Sequence, residues 1–194
     1  MPRQLALSLP VAEAMTRADF FVSPANALAL ATLDGWHGWP AGKLVLVGPA
    51  GSGKTHLANI WAAEAGAVIL PAADLAGAAP DALARWGRIV VEDADTLAGV
   101  REAEVTLFHL HNILAASGGK LLLTAATPPA QWPLSLPDLA SRMQAAATVH
   151  IAPPDDALLS AVMVKLLADR QVAVNPQVLT YCVAHMERSL SAAR

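Results

Sequence analysis

Eight consecutive residues, Gly48-Pro49-Ala50-Gly51-Ser52-Gly53-Lys54-Thr55, match the phosphate-binding pattern G-x-x-x-x-G-K-[ST] at every fixed position. The pattern encodes chemistry. Glycines let the backbone approach an anion, and successive N–H groups at a helix N-terminus converge on its phosphates. The Lys54 ammonium is placed to reach the β- and γ-phosphates, and the Thr55 hydroxyl to ligate Mg2+. A second stretch supplies the opposite charge. Residues 88–95 read Arg-Ile-Val-Val-Glu-Asp-Ala-Asp, an apolar strand with an acidic tip. One carboxylate beside a phosphate loop can hold Mg2+ through water, and another can orient an attacking water. Glu92 and Asp93 are the candidates. Thr124 and Thr127, at the end of a third apolar run, are candidates for sensing a γ-phosphate.

These groups need elements to carry them. Residues 43–47, Lys-Leu-Val-Leu-Val, read as a buried strand, and residues 56–64 as a helix with one apolar face, stopped by Gly66. Further strands are predicted at 67–70, along 88–92, at 120–124 and at 147–151. Between them come a weak helix at 74–83, broken by Gly77 and Pro80, and an amphipathic helix at 102–116. The latter carries its apolar stripe on Val105, Phe108, Leu110, Ile113 and Leu114. His109 and His111 lie two apart on it, a spacing that does not share a helical face and argues against a metal pair. A short helix at 136–143 holds one arginine, Arg142. Upstream, Ser23 is the expected N-cap of a helix over 26–33, with Pro24 at its first position, and 35–42 is loop. After Pro153-Pro154 the chain turns helical. Asp155 and Asp156 open one helix, Asn175 and Pro176 a second running to Met186, and a third begins at 187.

Composition sets the outer limits. The 194 residues suit one domain with a small appendage, and 55% hydrophobic against 15% charged content allows a large core. A net charge of −3 gives no global basic footprint for nucleic acid. One cysteine, Cys182, excludes an intrachain disulfide. No apolar run approaches the roughly 18–20 residues of a membrane span, and the N-terminus lacks a signal-peptide pattern. No membrane association and a cytoplasmic location are expected.

The alternation of strands and helices predicts an α/β fold, a five-stranded parallel sheet with helices on both faces and the ligand at the strands' C-terminal edge. A small helical lid follows, expected to be incomplete. On residues 48–57, 20–30, Phe108-His109 with Asn112, 122–129 and 136–142, the chain resembles the AAA+ P-loop NTPase module of the DnaA replication-initiator family. It is most similar to the Hda group, the regulatory inactivators of DnaA. The resemblance divides the chain into an N-terminal segment (1–18), a nucleotide-binding domain (19–153) and a lid (154–194).

The resemblance implies ATP or ADP with Mg2+ as cofactors. Residues Gly48, Pro49, Ala50, Gly51, Ser52, Gly53, Lys54, Thr55 and His56 would hold the phosphates. Phe21 and Val22 would lie on the adenine side, and Thr55 with Glu92 would hold the metal. Glu92 and Asp93 match the acidic pair with their lengths exchanged, which implies weak intrinsic hydrolysis. Ala126 stands where the family often carries a sensor aspartate. Arg142 matches the arginine finger, which acts on nucleotide in a neighbouring subunit, and Arg188 matches a second sensor arginine on the lid. Gln4-Leu5-Ala6-Leu7-Ser8-Leu9 resembles the motif that binds the DNA polymerase sliding clamp, with Gln4 at the groove edge and Leu5, Leu7 and Leu9 filling it. Nothing after the lid is long enough for the initiator's DNA-binding domain, so sequence-specific DNA binding is not expected. The implied partners are the DnaA initiator and the clamp, with a homo-oligomer left open. The implied function is a regulator that stimulates hydrolysis of the initiator's ATP. The alternative is an autonomous ATPase of helicase-loader type. A small-molecule kinase would need a basic mobile lid, and no arginine-rich run supplies one.

Overall fold

Alternating side chains in a strand point to opposite faces, so a strand apolar at every position must be covered on both. The predicted strands meet this condition. In the computed structural model, which describes residues 15–193, the chain runs α1 (Ala27–Asp34), β1 (Lys43–Val47), α2 (Lys54–Ala65), β2 (Val68–Pro71), α3 (Pro80–Ala84), β3 (Arg88–Glu92), α4 (Arg101–Ser117), β4 (Lys120–Ala125), α5 (Pro137–Gln144), β5 (Ala147–His150), α6 (Asp156–Asp169), α7 (Pro176–His185) and α8 (Leu190–Ala193). The segment holding Gln4, Leu5, Leu7 and Leu9 lies outside the described residues. The five strands form one sheet in the order β2-β3-β4-β1-β5, and every neighbouring pair is parallel.

β1 lies between β4 and β5, with Val47 opposite Ala125 on one side and His150 on the other. All five of its residues are buried. Val45 and Val47 face one core with Ile89, Val91, Leu121 and Leu123, covered by Leu107, Leu110 and Leu114 of α4 and by Leu139 and Met143 of α5. Leu44 and Leu46 face the other core with Val90, Leu122 and Val149, covered by α1 and by Leu57, Ile60 and Trp61 of α2. Burying such a leucine or valine contributes roughly 1.5–3 kcal/mol.

Three expectations need correction. The weak helix expected over 74–83 is two pieces, a 3-10 turn at Ala72–Leu75 and α3. Gly77 between them takes φ +81, outside helical space. Ser23 does not cap α1. Its carbonyl accepts from the Asn26 and Ala27 N–H groups at 3.1 and 2.9 Å, making a turn, so that Pro24 precedes the helix and Asn26 occupies the cap position. The buried arc of α4 is also rotated from the expected stripe. It comprises Ala103, Glu104, Thr106, Leu107, Leu110, His111 and Leu114, whereas Val105, Phe108 and Ile113 are half-buried. Hydrophobicity alone misplaces that arc because three of its members, Glu104, Thr106 and His111, are polar, and two of these are held by specific partners.

Glu104 is one of them. Its side chain is 0% exposed and accepts from the Gly99 N–H (2.8 Å), the Ser135 N–H and hydroxyl (3.0 and 2.8 Å) and the Leu136 N–H (2.8 Å). Burial pushes its carboxyl up, but the four donors outweigh burial and hold it below the ordinary glutamate range. His111 is the other. Its Nε2 lies 3.4 Å from the Lys43 ammonium. Burial, then the charges of Lys43 and Arg142, push its pKa down to about 4.

His111 is therefore neutral in the fold, whereas the unfolded chain protonates it near pH 6.5. Its contribution to stability is fully present above that pH, falls as pH drops toward about 4, and then levels off. The total is of the order of 3 kcal/mol. His111→Gln should flatten the pH dependence of urea-unfolding free energy between pH 6.5 and 4. An unchanged slope in that window would contradict the buried neutral imidazole.

Candidate nucleotide site

The phosphate loop leaves β1 at Val47 and enters α2 at Lys54, as the sequence pattern requires. Gly51 and Gly53 take φ +69 and +102, backbone that side chains resist. Gly48 has no room for a Cβ, which would meet the Ser52 Oγ at 2.7 Å and the Ile151 carbonyl at 2.9 Å. The first N–H groups of α2 have no partner within the helix and point out of its N-terminus. Lys54 is buried, and its Nζ donates to the carbonyls of Gly48 (2.8 Å) and Pro49 (3.1 Å). Burial pulls its pKa below the ordinary lysine range, against the opposing charges of Asp93, Asp95 and Glu92. The acidic tip of β3 thus shares an electrostatic neighbourhood with the phosphate-loop lysine.

Two buried oxygens here have no hydrogen-bond partner, the Ser52 Oγ in the loop and the Glu92 Oε1 at the end of β3. Unpartnered buried polar atoms are costly, and these two flank the place where phosphates and a cation would sit. The residues present therefore fit a magnesium nucleotide. Loop N–H groups and Lys54 would bind the phosphates, while the exposed Thr55 and the carboxylate of Glu92 would hold the metal. Asp93 differs from Glu92. It takes φ 52, its side chain is exposed, and its N–H donates to the Thr124 Oγ1 at 3.0 Å.

One site residue escaped the sequence reading. Asp95 reaches across to the tip of β4, where its Oδ2 accepts from the Ala126 N–H (2.9 Å), the Thr127 N–H (3.2 Å) and the Thr127 hydroxyl (3.3 Å). A carboxylate is thus held at position 126, where the chain itself supplies only alanine. The signal available was a third acid in the run 92–95, but spacing alone could not show that it crosses strands.

The remaining candidates are dispersed. Phe20 packs edge-on against His56 at 5.2 Å, bringing the 20–22 segment to the first turn of α2, and the His56 Nε2 lies 3.0 Å from the Thr16 carbonyl. Phe21 and Val22 themselves are exposed. Arg188 pairs with Asp156 in the first turn of α6 at 2.8 Å, both side chains largely exposed. Its neighbours are what meet the phosphate loop: the Leu190 N–H donates to the Gly51 carbonyl at 2.8 Å, and Ser189 is buried there. Arg142 lies elsewhere. Its backbone carbonyl accepts from the Lys43 ammonium at 2.8 Å, at the start of β1, while the loop leaves the other end of that strand. The separation along the strand is of the order of 15 Å. The Arg142 side chain is exposed, and its guanidinium carbon lies 5.3 Å from the centre of the Phe108 ring. Among the described residues, no group of three or more potential metal ligands gathers and no helix is long and apolar enough to cross a membrane.

No protein-family model matches the chain. Solved structures do. A crystal structure of a DNA replication initiation factor superposes with a TM-score of 0.80 at 19% identity, over 93% of this chain and 62% of that one. The replication initiator DnaA bound to AMPPCP and single-stranded DNA gives a TM-score of 0.75 at 19% identity, over 92% and 62%. Domain III of the Thermotoga maritima initiation protein DnaA gives 0.75 at 20% identity, over 91% and 83%. This chain thus spans less than two thirds of the first two. The likeness is one of fold: the chain has the AAA+ P-loop NTPase architecture, in the arrangement found in DnaA replication initiators.

The contact of Ser189 and Leu190 with the loop is open to test. A Cβ on Gly51 would lie 2.6 Å from the Ser189 Cβ, and its φ of +69 adds strain of about 1–2 kcal/mol. Gly51→Ala should release Leu190, so that its amide exchanges at least tenfold faster with deuterium while the amides of β1 and β4 keep their protection. Unchanged exchange at Leu190 would show that the segment before α8 does not rest on the loop.

Proposed function

We propose that the chain is an adenine-nucleotide-binding regulator of replication initiation, which stimulates hydrolysis of ATP held by a DnaA initiator. In this reading ATP or ADP with Mg2+ occupies the chain's own phosphate loop. The adenine lies against the 20–22 segment, and Arg188 leaves Asp156 to meet the phosphates. Residues 4–9 dock on the sliding clamp, and Arg142 is offered to a neighbouring initiator's triphosphate. The observation that carries this reading is the place of Arg142. It is exposed, makes none of the ion pairs found among the described residues, and sits at the end of β1 remote from its own phosphate loop. A guanidinium so placed is of use to a second molecule's nucleotide rather than to its own. The fold likeness to DnaA supports the choice of partner. A cationic finger supplied in trans stabilises charge on the transferring phosphoryl group and can contribute 10³–10⁵ in rate.

Hydrolysis of ATP bound to DnaA, measured with the chain and a DNA-loaded clamp, should rise severalfold or more and fall back to the unstimulated rate with Arg142→Ala. Undiminished stimulation by that variant would refute the trans role. Lys54→Ala should remove binding of a fluorescent ADP analogue to the chain. Alanine at Gln4, Leu5 and Leu7 together should abolish clamp capture, and retained capture would remove the N-terminal motif from the account. Steady ATP turnover by the chain alone, lost in Lys54→Ala and indifferent to DnaA, would favour an autonomous ATPase.

A further inference from the structure

Arg142 is carried by α5, an eight-residue helix anchored to the core by only two buried side chains, Leu139 and Met143. So short a helix has little intrinsic stability. Two buried charges of opposite sign grip its ends. Before its first turn, the Glu104 carboxylate accepts the N–H groups of Ser135 and Leu136 and the Ser135 hydroxyl. In its last turn, the Lys43 ammonium donates to the Arg142 carbonyl at 2.8 Å. The signs match the helix dipole, with negative charge at the N-terminal end and positive at the C-terminal end.

Neither charge is there for want of a better side chain. Lys43 is 5% exposed on a strand otherwise made of leucine and valine, and makes none of the ion pairs found among the described residues. Its two polar partners are the Arg142 carbonyl and His111, the imidazole lying 3.4 Å away. A buried ammonium without a carboxylate costs stability unless its hydrogen bonds compensate, and an apolar residue of the same size would serve the core as well. Phe108 supplies a third hold, its ring beneath the guanidinium. Lys43, Glu104 and Phe108 come from β1 and α4, elements already fixed by the core.

We propose that Lys43, Glu104 and Phe108 are positioning residues that hold Arg142 at a fixed place and angle for the partner's triphosphate. The inference rests on the trans role given to Arg142 above. None of the three needs to touch nucleotide. Their effect is to keep the guanidinium in one pose before the partner arrives, and displacement of a catalytic group by about 1 Å can cost on the order of 100-fold in rate.

Lys43→Met and Glu104→Gln keep side-chain size, and Phe108→Leu keeps an apolar side chain while removing the ring. Each should lower the maximal stimulated rate of hydrolysis of ATP bound to DnaA by roughly 10- to 100-fold. The chain concentration giving half-maximal stimulation, its own affinity for ADP and its thermal midpoint should stay close to wild type for Lys43→Met and Phe108→Leu. A merely structural role would instead lower the midpoint or the ADP affinity along with the rate. If Glu104→Gln fails to fold, the other two variants decide. Amide exchange gives a check without any partner: in Lys43→Met the amides of Ala145 and Ala146, bonded to Ser141 and Met143 in the last turn of α5, should exchange at least tenfold faster. Full stimulation by Lys43→Met and Phe108→Leu, with Arg142→Ala inactive, would overturn this inference and leave the trans role standing. Full stimulation by Arg142→Ala would overturn both.

Discussion

A parallel sheet covered on both faces confines its polar chemistry to its two ends. In this chain the middle of every central strand is leucine, isoleucine or valine, and the two cores on either side leave no place for a titratable group between them. The phosphate loop, the acidic tip of β3 and the Asp95 bridge gather at the C-terminal end. Lys43 and the close of α5 gather at the other. β1 joins the two ends as a fully buried rod. Separate jobs at the two ends of one sheet follow from that constraint, and the proposed function assigns them: holding a nucleotide of its own and presenting an arginine to someone else's.

The buried charges follow the same logic. Each is tolerated because its partners are specific. Glu104 has four donors, Lys54 has two loop carbonyls together with an acidic neighbourhood, and Lys43 has one helix-terminal carbonyl and an imidazole. Lys43 is the least well compensated. Ser52 Oγ and Glu92 Oε1 stand apart, buried without partners beside the phosphate loop. The Trp61 Nε1 is also unpartnered, but it lies within the apolar core under α2, whereas the two oxygens lie where a ligand's phosphates and cation would complete them.

Much of the fold was legible in the sequence because local signals agreed. Strand 43–47, the glycine turn, Gly66 as a helix stop and Asn175 as a helix cap each follow from a short-range rule, and each has its place in the structure. What could not be read depends on contacts between distant residues. Glu104 and His111 of the buried arc of α4 are drawn inward by the loop before α5 and by β1, so an apolar stripe read along one helix misplaced them. Asp95 serves position 126 from another strand's end. Lys43 read only as the polar first residue of a strand, since nothing nearby in sequence announces a carbonyl 99 positions later.

The central claim is that Arg142 plays no part in the chain's own nucleotide site. The affinity of Arg142→Ala for ADP with Mg2+, measured by titration calorimetry on the isolated chain, tests it most directly. The account predicts a dissociation constant within twofold of wild type. A tenfold or greater loss of affinity would place the arginine at its own phosphates and contradict the division of labour between the two ends of the sheet.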